Sequence, residues 1–136
     1  MFTTTISPRV SETDAIGHIN NTVIPVWFEA ARQGVFELLG PVDDFAQWRA
    51  IVVNLNIDYR AEIFYPEPVT IRTWVDRVGR TSFSLYEEAW QGDRLCCVGR
   101  VTYVNVDPST KRGAAIEGEV RQSLEAHLRD PEEQEA

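Results

Sequence analysis

The order of patterns along the 136 residues predicts an α+β fold, a curved antiparallel sheet of about five strands wrapped around one long central helix. Three observations predict it. A run rich in Thr, Ile and Val comes first, a single long helical pattern apolar around most of its circumference follows, and four long strand patterns separated by turns fill most of the rest. A helix that apolar has to be covered, and a twisted sheet covers it best by curling around it.

Thr3 to Val10 reads as the first strand, and Ser11 to Asn21 as a polar, glycine-containing loop. The spacing then predicts a helix over Thr22 to Leu39. Val23, Val26, Trp27, Ala30, Ala31, Gly34, Val35 and Leu38 recur at helical spacing, and Glu29, Arg32, Gln33 and Glu37 share the remaining narrow face. Trp27, Phe28 and Phe36 read as core residues on it. Pro25 falls in the first turns, where a missing amide does little harm, and Gly40-Pro41 stops the helix. After a link through Trp48, Ile51 to Tyr59 alternates as a half-buried strand, with Val53, Leu55, Ile57 and Tyr59 inward and Asn54, Asn56 and Asp58 outward. Val69 to Val78, Ser82 to Gln91 and Arg94 to Asp107 follow as strands, joined by the hairpin turns Gly79-Arg80-Thr81 and Gly92-Asp93. Pro108 ends the meander. Glu117 to Arg129, rich in helix formers, predicts a terminal helix on which His127 is solvated. The expected organisation is one domain over residues 1–129 and an acidic tail over 130–136.

Composition narrows the function classes. Apolar residues make up 43% and charged residues 25%, which fits a globular chain and excludes disordered or fibrous classes. No stretch approaches the roughly 18–20 apolar residues of a membrane-spanning helix, and the first residues lack the pattern of a secretory signal, so a cytoplasmic protein without membrane association is expected. A net charge of −8 repels nucleic-acid phosphates and anionic lipid, so no nucleic-acid partner is expected. Cys96 and Cys97 are neighbours on a strand, unsuited to a mutual disulfide and without the spacing of a zinc or redox motif, which agrees with a reducing compartment. A sheet curled around one helix leaves edge strands, and pairing with a second copy would cover one of them.

The densest polar cluster runs from Ser11 to Asn21. Asp14, Gly17, His18, Asn20 and Asn21 stand together just ahead of the buried helix. Amides at a helix start can polarise a carbonyl or hold an oxyanion, and a nearby carboxylate completes a hydrolytic site. Asp14 is the candidate base or nucleophile, and His18 the group to orient a substrate or handle the leaving group's proton. The same residues would also serve as Asx turns and helix caps, with His18 filling a gap between strand and helix.

The pattern Asp14-x-x-Gly17-His18-x-Asn20-Asn21, followed by Trp27-Phe28-Glu29-x-x-Arg32, resembles the hotdog-fold acyl-CoA thioesterases of the 4-hydroxybenzoyl-CoA thioesterase type. Asn56-Ile57-Asp58-Tyr59 with Pro66-x-x-Val69, then Gly79-Arg80-Thr81-Ser82-Phe83, then Val104-x-Val106-Asp107, resemble the family's later strands in the family's order, so the similarity spans about residues 3–110. The resemblance implies a homodimer or a dimer of dimers (a homotetramer), active sites near the subunit interface, and no metal or cofactor beyond the coenzyme A of the substrate. It puts the loop carboxylate on Asp14 and the thioester carbonyl against the amides after Gly17 and His18. Because some members carry their acid on the helix, Glu29 is the reserve, with a surface pairing to Arg32 as its structural alternative.

Coenzyme A brings phosphates, and arginines suit them. Arg77 and Arg80, beside the Gly79 turn, and Arg60, after the second strand, are the candidate contacts, with Ser82 a donor to the pantetheine arm. The rival readings are a non-catalytic acyl-CoA-binding module, a hydratase or dehydratase, which would need a differently spaced His and Asp, and a scaffold in which the loop is only a helix cap.

Overall fold

In the computed structural model, residues 1–130 are described, so the expected acidic tail lies outside the described residues except for Asp130. Five antiparallel strands form one sheet in the order β1-β3-β4-β5-β2. They are β1 Phe2–Ile6, β2 Ala50–Tyr59, β3 Val69–Val78, β4 Ser82–Gln91 and β5 Arg94–Asn105. The meander β3-β4-β5 is the centre, because its hairpin turns are short and its alternating apolar residues face the helix. The two elements that precede it close the edges, β1 on β3 and β2 on β5.

The helix expected to run unbroken from Thr22 to Leu39 is instead a 3-10 turn, Asn21–Val23, and two short helices, α1 Ile24–Ala30 and α2 Gln33–Leu39. A third helix, α3, spans Gly118–Glu125. The break between α1 and α2 has an electrostatic cause. Arg32, expected on the solvent face, is only 2% exposed and caps α2 with φ −87° and ψ 0°. Its Nε donates to Glu87 Oε1 at 2.7 Å and its Nη1 to the Tyr103 hydroxyl at 3.0 Å. The other Glu87 oxygen accepts from Thr73 Oγ1 at 2.9 Å, so the pair bridges the helix break to β3, β4 and β5. Burial pushes the Glu87 carboxyl up, against the pull of Arg32 beside it. As Arg32 turns inward, Val26, expected in the core, is left exposed.

Around this pair the core has two halves. Trp27 and Phe28 of α1 pack with Ile19, Ile63, Val69, Ile71 and Ala89, whereas Val35 and Leu39 of α2 pack with Val75, Phe83, Leu85, Val101 and Tyr103. Close approach is secured at Gly99, where a Cβ would come within 3.0 Å of the Phe28 ring. Trp27 and Phe28 are buried as expected, while Phe36 is only partly so.

Other boundaries moved for local reasons. β1 stops at Ile6, before Pro8, and β5 at Asn105, with Val106 continuing only as an isolated bridge to Gly113. The chain after α3 leaves the helix so that Leu128 bridges Val75 and extends the edge of β3 beyond β1. His127, expected in solvent, stacks on Phe2 with ring centroids 4.6 Å apart. β2 is the largest departure: from Ile51 to Asn56 every residue is exposed, and a bulge between Val52 and Asn54 puts Val53 out of phase with Leu55. On its inner face Leu55 is exposed, while Ile57 packs against the half of the core around Phe28.

Removing one partner of the buried pair strands a charge, which typically costs about 3–5 kcal/mol, whereas replacing both with apolar residues of similar volume is often close to neutral. Arg32→Met should therefore lower the denaturant-unfolding free energy by about that amount, and Arg32→Met with Glu87→Leu should recover most of it.

Candidate active site

The loop ahead of the helix is built on a buried carboxylate. Glu12, 9% exposed, accepts the Arg9 amide on Oε1 and the Trp27 indole N–H on Oε2, each at 2.8 Å, and its carbonyl takes the Asn20 amide at 2.9 Å. Burial alone would raise its pKa, but these bonds and the Arg9 guanidinium together hold it below the ordinary 4.5. The loop is thereby tied at both ends to α1.

Between these ties the chain reverses through Gly17, whose φ of +82° suits glycine. The Asp14 amide donates to the His18 carbonyl at 2.8 Å, and Asp14 Oδ1 accepts the Ile16 amide at 3.1 Å and the His18 amide at 3.3 Å. The Asx-turn role expected of Asp14 is thus present. It occupies only Oδ1, since among the described residues Oδ2 has no hydrogen-bond partner. The loop then pairs with the connection from β2 to β3: Tyr65 donates to the Gly17 carbonyl at 3.1 Å and Ile19 to the Ile63 carbonyl at 2.8 Å. That connection is itself held from below by Gln91, 1% exposed, whose side chain bonds the Phe64 amide and the carbonyls of Phe64 and Glu67.

A cavity of about 540 Å³ opens between this loop, the start of α1 and the end of β2. Asp14, Asn21, Tyr59, Arg60 and Glu62 supply its polar groups; Ile19, Ile24 and Ile63 its apolar wall. Asn20 caps the helix start, its Oδ1 accepting the Thr22 amide at 2.9 Å. Asn21 takes the Tyr59 hydroxyl on its carbonyl at 2.8 Å. Its amide opens the turn, where no acceptor within the helix reaches it. The amides expected to face a carbonyl, those after Gly17 and His18, are otherwise committed: His18 to Asp14 Oδ1 at 3.3 Å, and Ile19 to the Ile63 carbonyl at 2.8 Å. Cys97 also lines the cavity, but burial pushes its thiol up to about 12, so it is no nucleophile at neutral pH.

Of the other candidates, Arg60 joins the cavity and Glu29 is exposed outside it. The expected Glu29–Arg32 surface pair is replaced by Arg32–Glu87. His18 stands behind the wall, its Nδ1 3.4 Å from Glu62 Oε2 and its ring edge-on to Phe64 at 4.8 Å. Arg77, Arg80 and Ser82 lie at the opposite end of the sheet: Ser82 pairs with Val104, seven residues along β5 from Cys97, roughly 20 Å away at strand rise. Glu12, Glu62 and Gln91 were not singled out from the sequence. Each is an isolated polar residue whose partners come from distant segments; only Tyr59 had a signal, in the Asn56-Ile57-Asp58-Tyr59 run.

Residues 8–124 match the family described as the Thioesterase-like superfamily. A solved structure described as a predicted thioesterase from Bacillus stearothermophilus is 44% identical, with a TM-score of 0.91 over 96% of this chain and 98% of that one. The long-chain acyl-CoA thioesterase FadM of Escherichia coli is 28% identical over 130 residues, 90% of this chain and 96% of that protein. The DHNA-CoA thioesterase of Staphylococcus aureus is 27% identical, with a TM-score of 0.77 over 92% of this chain and 91% of that one.

Because the folded Glu12 carboxyl binds its proton less readily than the unfolded one, its stabilisation is whole above pH ~4.5 and is lost as pH falls through the lowered value. Glu12→Ala should lose about 1–3 kcal/mol in urea unfolding at pH 7 by leaving the Trp27 N–H buried without a partner. The gap to wild type should narrow as the medium is acidified below pH 4.

Proposed function

The chain belongs to the Thioesterase-like superfamily and is a thioester hydrolase, and from that premise we propose that it hydrolyses an acyl-CoA to the free acid and coenzyme A, with Asp14 in the reacting position. The observation that carries this reading is the Asp14 carboxylate itself. One oxygen is fixed by two backbone amides, the other is open, and the group stands on the wall of a cavity large enough for a thioester and a water molecule. The relatives named for acyl-CoA and DHNA-CoA hydrolysis support coenzyme A as the thiol partner, and the Asp14-x-x-Gly17-His18 pattern supports the 4-hydroxybenzoyl-CoA thioesterase type within the superfamily.

In this reading the thioester carbonyl lies toward the helix start, where the Asn21 amide polarises it and Tyr59 holds the Asn21 peptide in place. Asp14 acts on the carbonyl carbon, either directly or through water. No cofactor is needed, since the carboxylate supplies the attack and the thiolate is a good leaving group. Arg60 is the coenzyme contact within the subunit. Two free, buried cysteines agree with a reducing, cytoplasmic setting.

A homodimer accounts for the rest of the expected site. β2 is an edge strand with Ile51, Val52, Val53 and Leu55 each more than 40% exposed, a long apolar edge of the kind monomers avoid. Two copies paired antiparallel along β2 would cover that edge. The same pairing sets the Arg77–Arg80 end of one subunit beside the cavity end of the other, so that the partner's Arg77 and the partner's Arg80 reach the coenzyme's phosphates. A dimer of dimers would build on this unit.

Thiol release from short, medium, long and aromatic acyl-CoAs tests the reading. The wild type should hydrolyse at least one class, and Asp14→Asn and Asp14→Ala should lose turnover by about 10²–10⁴-fold or more with folding retained. Unchanged turnover in either variant would move the chemistry away from Asp14 to another group. Leu55→Arg should turn a dimer into a monomer in light scattering, since it places a charge in the proposed seam.

A further inference from the structure

We propose that Glu62 is a second catalytic carboxylate of this site, the base for the hydrolytic water, and that His18 is its positioning residue. This rests on the reading of Asp14 as the attacking group. The two acids stand on the same cavity, and one residue ties them together: the His18 amide donates to Asp14 Oδ1 at 3.3 Å, while His18 Nδ1 lies 3.4 Å from Glu62 Oε2. Both contacts run through a single residue, which keeps the carboxylates within about 10 Å of each other. The imidazole is held in turn by the edge-on ring of Phe64, and the His18 and Phe64 backbones form a bridge. The imidazole that approaches Glu62 is thus itself held in place.

The environments separate the roles. Asp14 has one oxygen fixed by two amides and the other open, which suits attack in a set direction. The Glu62 side chain is 62% exposed and has only the imidazole as a hydrogen-bonding or ionic partner among the described residues, so water reaches it. The sequence of bonds is then complete. Asp14 Oδ2 attacks the thioester carbon, the C–S bond breaks, and coenzyme A leaves as its thiolate, giving an acyl-aspartyl anhydride. Glu62 takes a proton from water as the water oxygen bonds to the acyl carbon. The anhydride C–O bond then breaks, Asp14 recovers its carboxylate and the free acid departs. The proton on Glu62 passes to solvent, directly or across the imidazole, and the thiolate is protonated from solvent. Neither an oxidant nor a co-reactant other than water enters.

The test is pre-steady-state thiol release by wild type, Glu62→Gln, Glu62→Ala and His18→Gln, with an acyl-CoA that the wild type hydrolyses. Glu62→Gln should lower kcat by about 100-fold or more with little change in KM. It should also release a rapid burst of one thiol per active site before the slow steady state, because attack survives and anhydride hydrolysis does not. Added formate should restore part of the Glu62→Ala turnover, and His18→Gln should show the same burst with a smaller loss. Turnover of Glu62→Gln within about twofold of wild type, or a loss without a burst, would overturn the assignment while leaving Asp14 in place if Asp14→Asn is inactive. A wild type that hydrolyses no acyl-CoA would overturn both readings.

Discussion

The buried Arg32–Glu87 pair is the constraint on which the helix and the sheet both depend. An arginine that is 2% exposed and a glutamate that is fully buried are stable together only if their charges are paired and most of their hydrogen bonds are met in place. Glu87, Thr73 and Tyr103 from three adjacent strands do this, leaving the buried Arg32 Nη2 as the one guanidinium nitrogen without a hydrogen-bond partner among the described residues. The chain accepts a broken helix to do this. The break in turn lets α1 and α2 follow the curve of the sheet as two short segments, each over its own half of the core. A straight helix of the length read from the sequence would pack well at only one point on a curved surface.

Much of the architecture was legible because it follows from local rules. The three central strands were recognised almost to the residue by alternation and hairpin turns, and the loop cluster around Asp14 by its composition. What escaped depended on distant partners. Helical spacing assigns Arg32 to the polar face and Val26 to the apolar one, and only Glu87, 55 residues away, reverses the two. Alternation in β2 correctly grouped Leu55, Ile57 and Tyr59 on one face, yet alternation says which residues share a face and nothing about whether that face is covered. Glu62 looks like any acid in a connecting segment until the connection folds back along residues 17–19 and places it beside His18.

The site is therefore a product of two connections braced against each other. The loop before α1 carries Asp14, and the connection from β2 to β3 carries Arg60 and Glu62, and each supplies backbone partners to the other. Below them, Glu12 fastens the first to Trp27 and Gln91 fastens the second to β4, both through buried polar side chains. Loops held this way keep the candidate side chains in fixed directions, and Asp14 Oδ2 stays without a hydrogen-bond partner among the described residues.

The open edge and the cavity belong to one problem. Tyr59 ends β2 and also holds Asn21 at the cavity, so the strand that is uncovered along its apolar length is the one that shapes the site at its end. In a single subunit the cavity meets only Arg60 among the candidate coenzyme contacts, and the remaining cations stand some 20 Å away at strand rise. A substrate as long as a coenzyme A thioester spans that distance naturally if the second subunit's far end is brought alongside. Under the proposed reading, covering β2 and completing the coenzyme site would be satisfied by the same association, because the edge that lacks a partner strand and the cavity that lacks further arginines lie on the same strand.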